Sequence, residues 1–147
     1  FSGEGLERAR ALYRSQFQPN ELQPAPRTFL TANAVAAETS AEAEERALPQ
    51  LRAMSRLRTN RPLTALQTVE QARADEPDAA TTAIVESMRA KWFVGTGDAV
   101  AAELSAFARR WDVDEVMVSP VAGSYDAEPL DATPGRTQTL ELLAAAL

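Results

Sequence analysis

Apolar residues recur at spacings of three and four over residues 4–17, where Leu6, Ala9, Tyr13 and Phe17 form one stripe. That period predicts an amphipathic helix. Residues 18–28 hold Pro19, Pro24 and Pro26 among polar neighbours and predict an extended loop, since proline stops a helix and removes a backbone donor. From Arg27 to Ala37 the mixture of Thr, Phe, Leu and Val predicts a strand. Thr39 with Glu42 three residues on matches a capping box and starts a helix over 41–57. Leu48, Leu51, Met54 and Leu57 are its expected buried stripe, and Pro49 is expected to kink it or divide it. Thr64 with Gln67 predicts a second cap, for a short helix ending near Ala74. A third helix follows from Ala79 to Ala90, with Ile84, Val85 and Met88 as its apolar positions.

The clearest pattern comes next. Trp92-Phe93-Val94 is a short apolar strand ended by Gly95, and Val100, Leu104, Phe107 and Trp111 form the stripe of a following helix. Asp112 and Asp114 mark a tight return, and Glu115-Val116-Met117-Val118-Ser119 is another strand. A helix joining two short apolar strands predicts parallel pairing with a right-handed crossover, and this unit is the expected organising centre of the chain. Residues 120–136 form a loop with Pro120, Gly123, Pro129, Pro134 and Gly135, long enough to be functional or mobile. The last helix, over 137–147, has Leu140, Leu143, Ala144 and Leu147 as its expected apolar face.

The order is strand, helical insertion over 41–90, strand, helix, strand, loop, helix. It predicts an α/β fold: the C-terminal portion of a (β/α)8 TIM barrel, with about three parallel strands, in one partial domain over 1–147. A complete barrel takes about 250 residues, so these strands cannot close one.

Composition narrows the chemistry. The chain of 147 residues carries a net charge of -6, and its basic residues are nearly all Arg, interleaved with acids, with Lys91 the one Lys. That balance argues against nucleic acid, whose phosphates need clustered cations. Most of the arginines are expected on solvated helix faces. Cys and His are absent. The chain therefore has no thiol nucleophile or thiolate metal site, and it lacks the commonest general base. No apolar run approaches the roughly 18 residues of a membrane span, and no signal-peptide pattern is present, so a cytoplasmic protein is expected. The first residue is Phe rather than Met, and the chain is expected to be a piece of something longer.

Five segments, in order, resemble one family. Tyr13-Arg14, Phe17 and Pro19-Asn20 are similar to its YR..F.PS segment, with Asn20 in place of Ser. Asn33 through Thr39 with Glu42-Ala43 are similar to a strand end N-V-x-A-D-T-x-x-E-A, with Glu38 in place of Asp. Val94-Gly95-Thr96-Gly97-Asp98-Ala99-Val100 resembles V-G-T-P-E-x-V, Val113 to Val118 resembles V-D-E-L-M-V, and Arg136 to Ala144 resembles R-x-x-S-x-E-L-L-A. The chain thus resembles the C-terminal part of the bacterial luciferase-like, flavin-dependent monooxygenases. The resemblance implies reduced FMN as cofactor, O2 as co-substrate and an organic small-molecule substrate. It also implies a flavin reductase supplying the reduced flavin, a missing N-terminal barrel half that holds the principal catalytic His, and a homodimer as the full-length protein. The fragment alone is then expected to be inactive, with no catalytic residue and no metal ligand of its own. Two alternatives stand beside it: a relative that binds flavin or the deazaflavin F420 without oxygen chemistry, and a non-catalytic α/β interaction module.

In a barrel, functional groups gather in the loops at the C-terminal ends of strands. That selects Glu38 and Thr39, Gly95 to Asp98, Ser119 to Asp126, and Arg136, with Gly95, Thr96, Ser119 and Arg136 as the expected cofactor-binding set. The Gly95-Thr96-Gly97 turn either brings N–H groups to an anion at a helix start, or Thr96 or Asp98 simply caps the helix. Arg136 either faces a flavin or substrate carboxylate bidentately or has a surface or helix-anchoring role. Asp126, Glu128 and Asp131 read as a solvated lid, since their spacing matches no EF-hand loop. Trp92, Phe93, Phe107 and Trp111 read as core rather than flavin-stacking residues.

Overall fold

The computed structural model describes residues 5–129 and 131–147. In chain order the elements are α1 (Leu6–Gln16), β1 (Phe29–Ala37), α2 (Ser40–Arg58), α3 (Val69–Ala74) and α4 (Ala79–Arg89), then β2 (Phe93–Thr96), α5 (Gly97–Trp111), β3 (Glu115–Pro120) and α6 (Pro134–Ala146). Among the described residues the architecture is mixed α/β, with one parallel three-stranded sheet and six helices.

The organising centre is β1, not the unit from β2 to β3. The strand order is β2-β1-β3, so the strands flanking α5 lie on opposite sides of β1 and do not pair with each other. The expected direct pairing fails because β1 is long and apolar enough to take both. Its first two thirds, Phe29 to Ala34, pair with β3, and its last part, Ala34 to Ala37, pairs with β2. Both pairings are parallel, as expected.

Successive side chains of a strand point to opposite faces, and the two faces of β1 are treated differently. Ala32, Ala34 and Ala36 pack with Val100, Ala101 and Leu104 of α5 and Leu143 of α6. Alanines there let two helices approach closely, and this face is sealed. On the opposite face Val35 and Ala37 pack under Ala43, Ala47 and Leu51 of α2 and Met88 of α4, with Trp92, Val121 and Ala122. That cover stops at Val35. Below it Phe29, Thr31, Met117, Ser119 and Glu115 are exposed, and Asn33 is half-buried.

Several helix faces differ from expectation for one reason: burial follows the element each face packs on, not the run of leucines. Along α2 the buried positions are Ala43, Ala47, Leu51 and Ser55, whereas Leu57 is exposed. Pro49 does not divide α2, which runs unbroken to Arg58. In α6 the buried face is Gly135, Thr139 and Leu143, while Leu140 and Leu147 are exposed. The short helix starts later than expected, because the pattern Thr-x-x-Gln occurs twice and the second copy wins. Thr68 and Gln71 form the full capping box, next to buried Val69 and Ala72. The stripe of α1 lies on no core: none of its residues is buried. Ion pairs from Arg10 and Arg14 to Asp112 tie this helix to the end of α5.

Candidate functional site

The loop after β3, the first turn of α2 and the start of α6 converge on one side chain, Arg46 of α2. It is buried, and its guanidinium is met from several directions. Nε donates to Glu42 at 2.8 Å, Nη2 to Glu128 at 2.8 Å, and Nη1 to the Gly123 carbonyl at 3.1 Å. The ring of Tyr125 covers it, with 4.6 Å from Cζ to the ring centroid. Burial works against the charge, and the hydrogen bonds to Glu128 and Glu42 outweigh it, so Arg46 sits above its ordinary range. The same bond from Arg46 holds the Glu128 carboxyl below the usual carboxylate range. Burial, helped by the bond to Glu45, pushes the Tyr125 phenol up to about 12.

This cluster fastens the loop after β3 to α2. Pro49 has no N–H for the Glu45 carbonyl one turn before it, and the next carbonyl, that of Arg46, accepts the Gly123 N–H at 2.6 Å. A Cβ on Gly123 would stand 2.6 Å from Pro49 Cγ, so only glycine permits this approach. A Cβ on Gly135 would stand 2.7 Å from Arg46 Nη1. Further along, Ser124 O accepts from Val69 N–H at 2.9 Å and Glu70 accepts from Asp126 N–H at 2.9 Å. Glu128 is therefore a half-buried ion-pair partner of Arg46, not part of a solvated lid. No group of three or more His, Cys, Asp or Glu able to hold a metal ion occurs among the described residues. The sequence gives little warning of Arg46, one of many arginines in an Ala- and Glu-rich helix. The signal that was available is Glu42, which lies one helical turn before it.

The four expected cofactor-binding residues do not form one group. Gly95 and Thr96 lie beside Ala36 and Ala37, on the β2 side of β1, while Ser119 lies beside Asn33 on the β3 side. Thr96 occupies the N-cap position of α5 but its hydroxyl makes no cap bond, and neither expected reading of the turn is complete. Gly97 packs under α6: a Cβ there would come within 3.0 Å of Leu142. The cleft at this turn, about 350 Å³, is lined by Ala37, Glu38, Thr96, Gly97, Asp98 and the C-terminal turns of α6. Its formally charged residues, Glu38 and Asp98, are both acidic, so an anion there meets repulsion as well as the helix start. Arg136 is half-buried in the first turn of α6, directly after the glycine that packs on Arg46.

Thr39 caps α2 by accepting the Glu42 N–H at 3.1 Å, whereas the Glu42 carboxylate turns to Arg46 instead of closing the box. Thr139 is another feature without a sequence signal. Its buried hydroxyl accepts from the Ala36 N–H at 3.1 Å and lies 2.9 Å from the Gly135 carbonyl. It thereby satisfies β1 beyond Ala34, where its pairing with β3 ends. Trp92 is core, and Phe93 and Phe107 meet edge to face at 5.3 Å, as core packing requires.

With the open face of the sheet, the Arg46 clamp and the two rim segments in place, the fold can be compared with known structures. It is similar to the crystal structure of apo-MsnO8, with a TM-score of 0.74 and 23% identity, over 97% of this chain and 41% of that one. The likeness is one of fold. The chain spans about two fifths of the length of MsnO8. No protein-family model matches the chain, and no curated protein does. No helix among the described residues is long and apolar enough to cross a membrane.

Proposed function

We propose that this chain is the C-terminal part of a luciferase-like, flavin-dependent monooxygenase, supplying the last strands of a (β/α)8 barrel. In this reading α5 and α6 belong to the outer helical ring, and the bare face of β1 and β3 looks into the barrel. The observation that carries the reading is that asymmetry. One face of a parallel sheet is sealed by helices, while the other exposes Phe29 and Met117 with Thr31 and Ser119 beside half-buried Asn33. Sheets of this class are covered on both faces, so the bare one calls for further chain. The fold likeness supports this, since MsnO8 extends well beyond the part matched here.

The residues present suit a flavin on chemical grounds at two places. The bare face offers neutral donors and acceptors from Thr31, Asn33 and Ser119 beside apolar Met117 and Phe29, which suits a flat heteroaromatic ring, and its one carboxylate, Glu115, is paired with Arg27 at the far end. Arg136 offers a fork to a phosphate. The Gly95-Thr96 turn suits an anion less, with Glu38 and Asp98 beside it. Reduced FMN, when bound, supplies the activation of O2. This chain contributes binding and orientation, and the acid-base groups come from the upstream strands.

Flavin titration tests the reading, with the chain alone and joined to the upstream βα units. Binding by the joined form and none by the chain alone is expected. No binding by the joined form removes the monooxygenase reading. Oxygen uptake in the presence of a flavin reductase then separates it from a flavin- or deazaflavin-binding relative.

A further inference from the structure

The open edges of the sheet are not treated alike. In a parallel ladder, alternate residues of a strand turn their N–H and C=O groups to the same side. The Thr28 and Ala34 carbonyls accept from the Glu115 and Val121 N–H groups, at 3.3 and 3.1 Å. Even-numbered residues along β1 and odd-numbered residues along β3 therefore face each other. Ala36 keeps this parity, with its N–H on the Thr139 hydroxyl where β3 has ended. It follows that Phe29, Thr31 and Asn33 face the β2 side of β1, and that Val116 and Val118 face away from the sheet.

The outer edge of β2 is guarded. Arg89 donates to the Trp92 and Val94 carbonyls there, at 3.3 and 3.4 Å, and Glu44 holds the guanidinium through Nε at 2.8 Å. A charged side chain laid along an edge strand works against further pairing. Two other stretches have no such guard. Below β2, which begins beside Ala34, the N–H groups of Phe29, Thr31 and Asn33 have no partner among the described residues. The same holds for Val116 and Val118 on β3. Residues 29–33 include no charged residue and no proline. On β3, Pro120 stands at an outward position and ends the open stretch there. Each stretch continues a ladder that already exists, in a register without a bulge.

We propose that two further strands complete this sheet, one beside residues 29–33 directly below β2 and one beside residues 116–118 of β3. β2 stays an outer edge, so it sits on the rim above the incoming strand. The two strands belong to the upstream part of the polypeptide and run parallel to β1 and β3; that assignment rests on the barrel reading. MsnO8 has chain to spare for them, since only 41% of it is matched here. Main-chain bonds supply the affinity in such strand addition, and the side chains along the strands supply the fit.

Amide hydrogen exchange, read residue by residue by NMR on the chain alone and joined to the upstream βα units, tests this. In the chain alone Phe29, Thr31, Asn33, Val116 and Val118 are expected to exchange fast, between protected Leu30, Ala32, Met117 and Ser119. In the joined form all of the fast ones slow by about a hundredfold or more. Val94, whose carbonyl meets Arg89, exchanges as before. Thr31→Pro removes one outward N–H and no bond of the existing ladder. It is expected to leave the far-UV CD spectrum of the chain alone unchanged and to abolish protection of Phe29 and Asn33 in the joined form. Thr31→Ala leaves that protection intact. Fast exchange at these amides in a joined form that binds flavin overturns the proposal and leaves the barrel reading standing. Protection without flavin binding supports the proposal and removes the monooxygenase reading. Protection that survives Thr31→Pro overturns it, and so does protection that appears in the chain alone with rising concentration beside a dimer in sedimentation, which gives the edges to a second copy.

Discussion

Arg46 keeps its charge below the surface because two carboxylates, a carbonyl and an aromatic ring meet it there. Removing the arginine leaves the half-buried carboxylates of Glu128 and Glu42 unpaired, at a cost of about 1–3 kcal/mol. Arg46→Met is therefore expected to lose about that much stability in urea unfolding, and Arg46→Lys less, since lysine keeps the charge but not the fork. A double-mutant cycle with Glu128→Gln should show coupling above about 0.5 kcal/mol, as contacting residues do. The sign of the pH effect follows from Glu128, whose folded carboxyl is depressed chiefly by its bond to Arg46. Its stabilisation is complete above the unfolded carboxylate value, about 4.3. It is lost as pH falls through the lower, folded value. Denaturation at a series of pH values should show wild type and Glu128→Gln differing most near neutrality and converging in acid. A difference that grows in acid would contradict the linkage.

At the scale of elements, β1 decides the arrangement and α2 decides where the loop after β3 goes. Pro49 and Gly123 meet there: the glycine, with no Cβ, brings the loop against the proline ring, and its N–H reaches the Arg46 carbonyl. Gly123→Ala is expected to cost about 1–3 kcal/mol, because a rigid pyrrolidine cannot yield as a flexible side chain can. Thr39→Ala should cost about 1 kcal/mol through loss of the cap on α2. Both are read from chemical denaturation midpoints at constant slope. The elements themselves were legible in the sequence, since period and caps are local signals. Strand order was not. Nothing local distinguishes a β2 that pairs with β3 from one that pairs with the far side of β1. The same limit hid the buried faces of α2 and α6, which follow the elements they pack on instead of the densest run of leucines. It also hid the Arg46 cluster, whose partners Gly123, Tyr125 and Glu128 lie some eighty residues away in the chain.

For the whole molecule, the main fact is a sheet with one finished face. Phe29 is 56% exposed and Met117 54%, on strands whose other side is a closed core. The proposed barrel reading assigns that surface to the interior of a larger protein. Charge placed there is then expected to be harmless to the chain by itself and harmful to the whole. Phe29→Lys with Met117→Lys, placed beside Glu115, should change the stability of the chain alone by less than about 0.5 kcal/mol per site, as exposed substitutions do. In the polypeptide that includes the upstream βα units, the same pair should abolish flavin binding. The expected site residues were partly legible at this scale. Strand ends could be located, yet their grouping could not, because β1 separates Gly95 and Thr96 from Ser119. The most direct measurement is the titration of reduced FMN, followed by flavin fluorescence and absorbance under anaerobic conditions, against the chain alone and the chain joined to those upstream units. Saturable binding by the joined form alone is the result the account predicts. Absence of binding by the joined form, with its fold verified by CD, contradicts it.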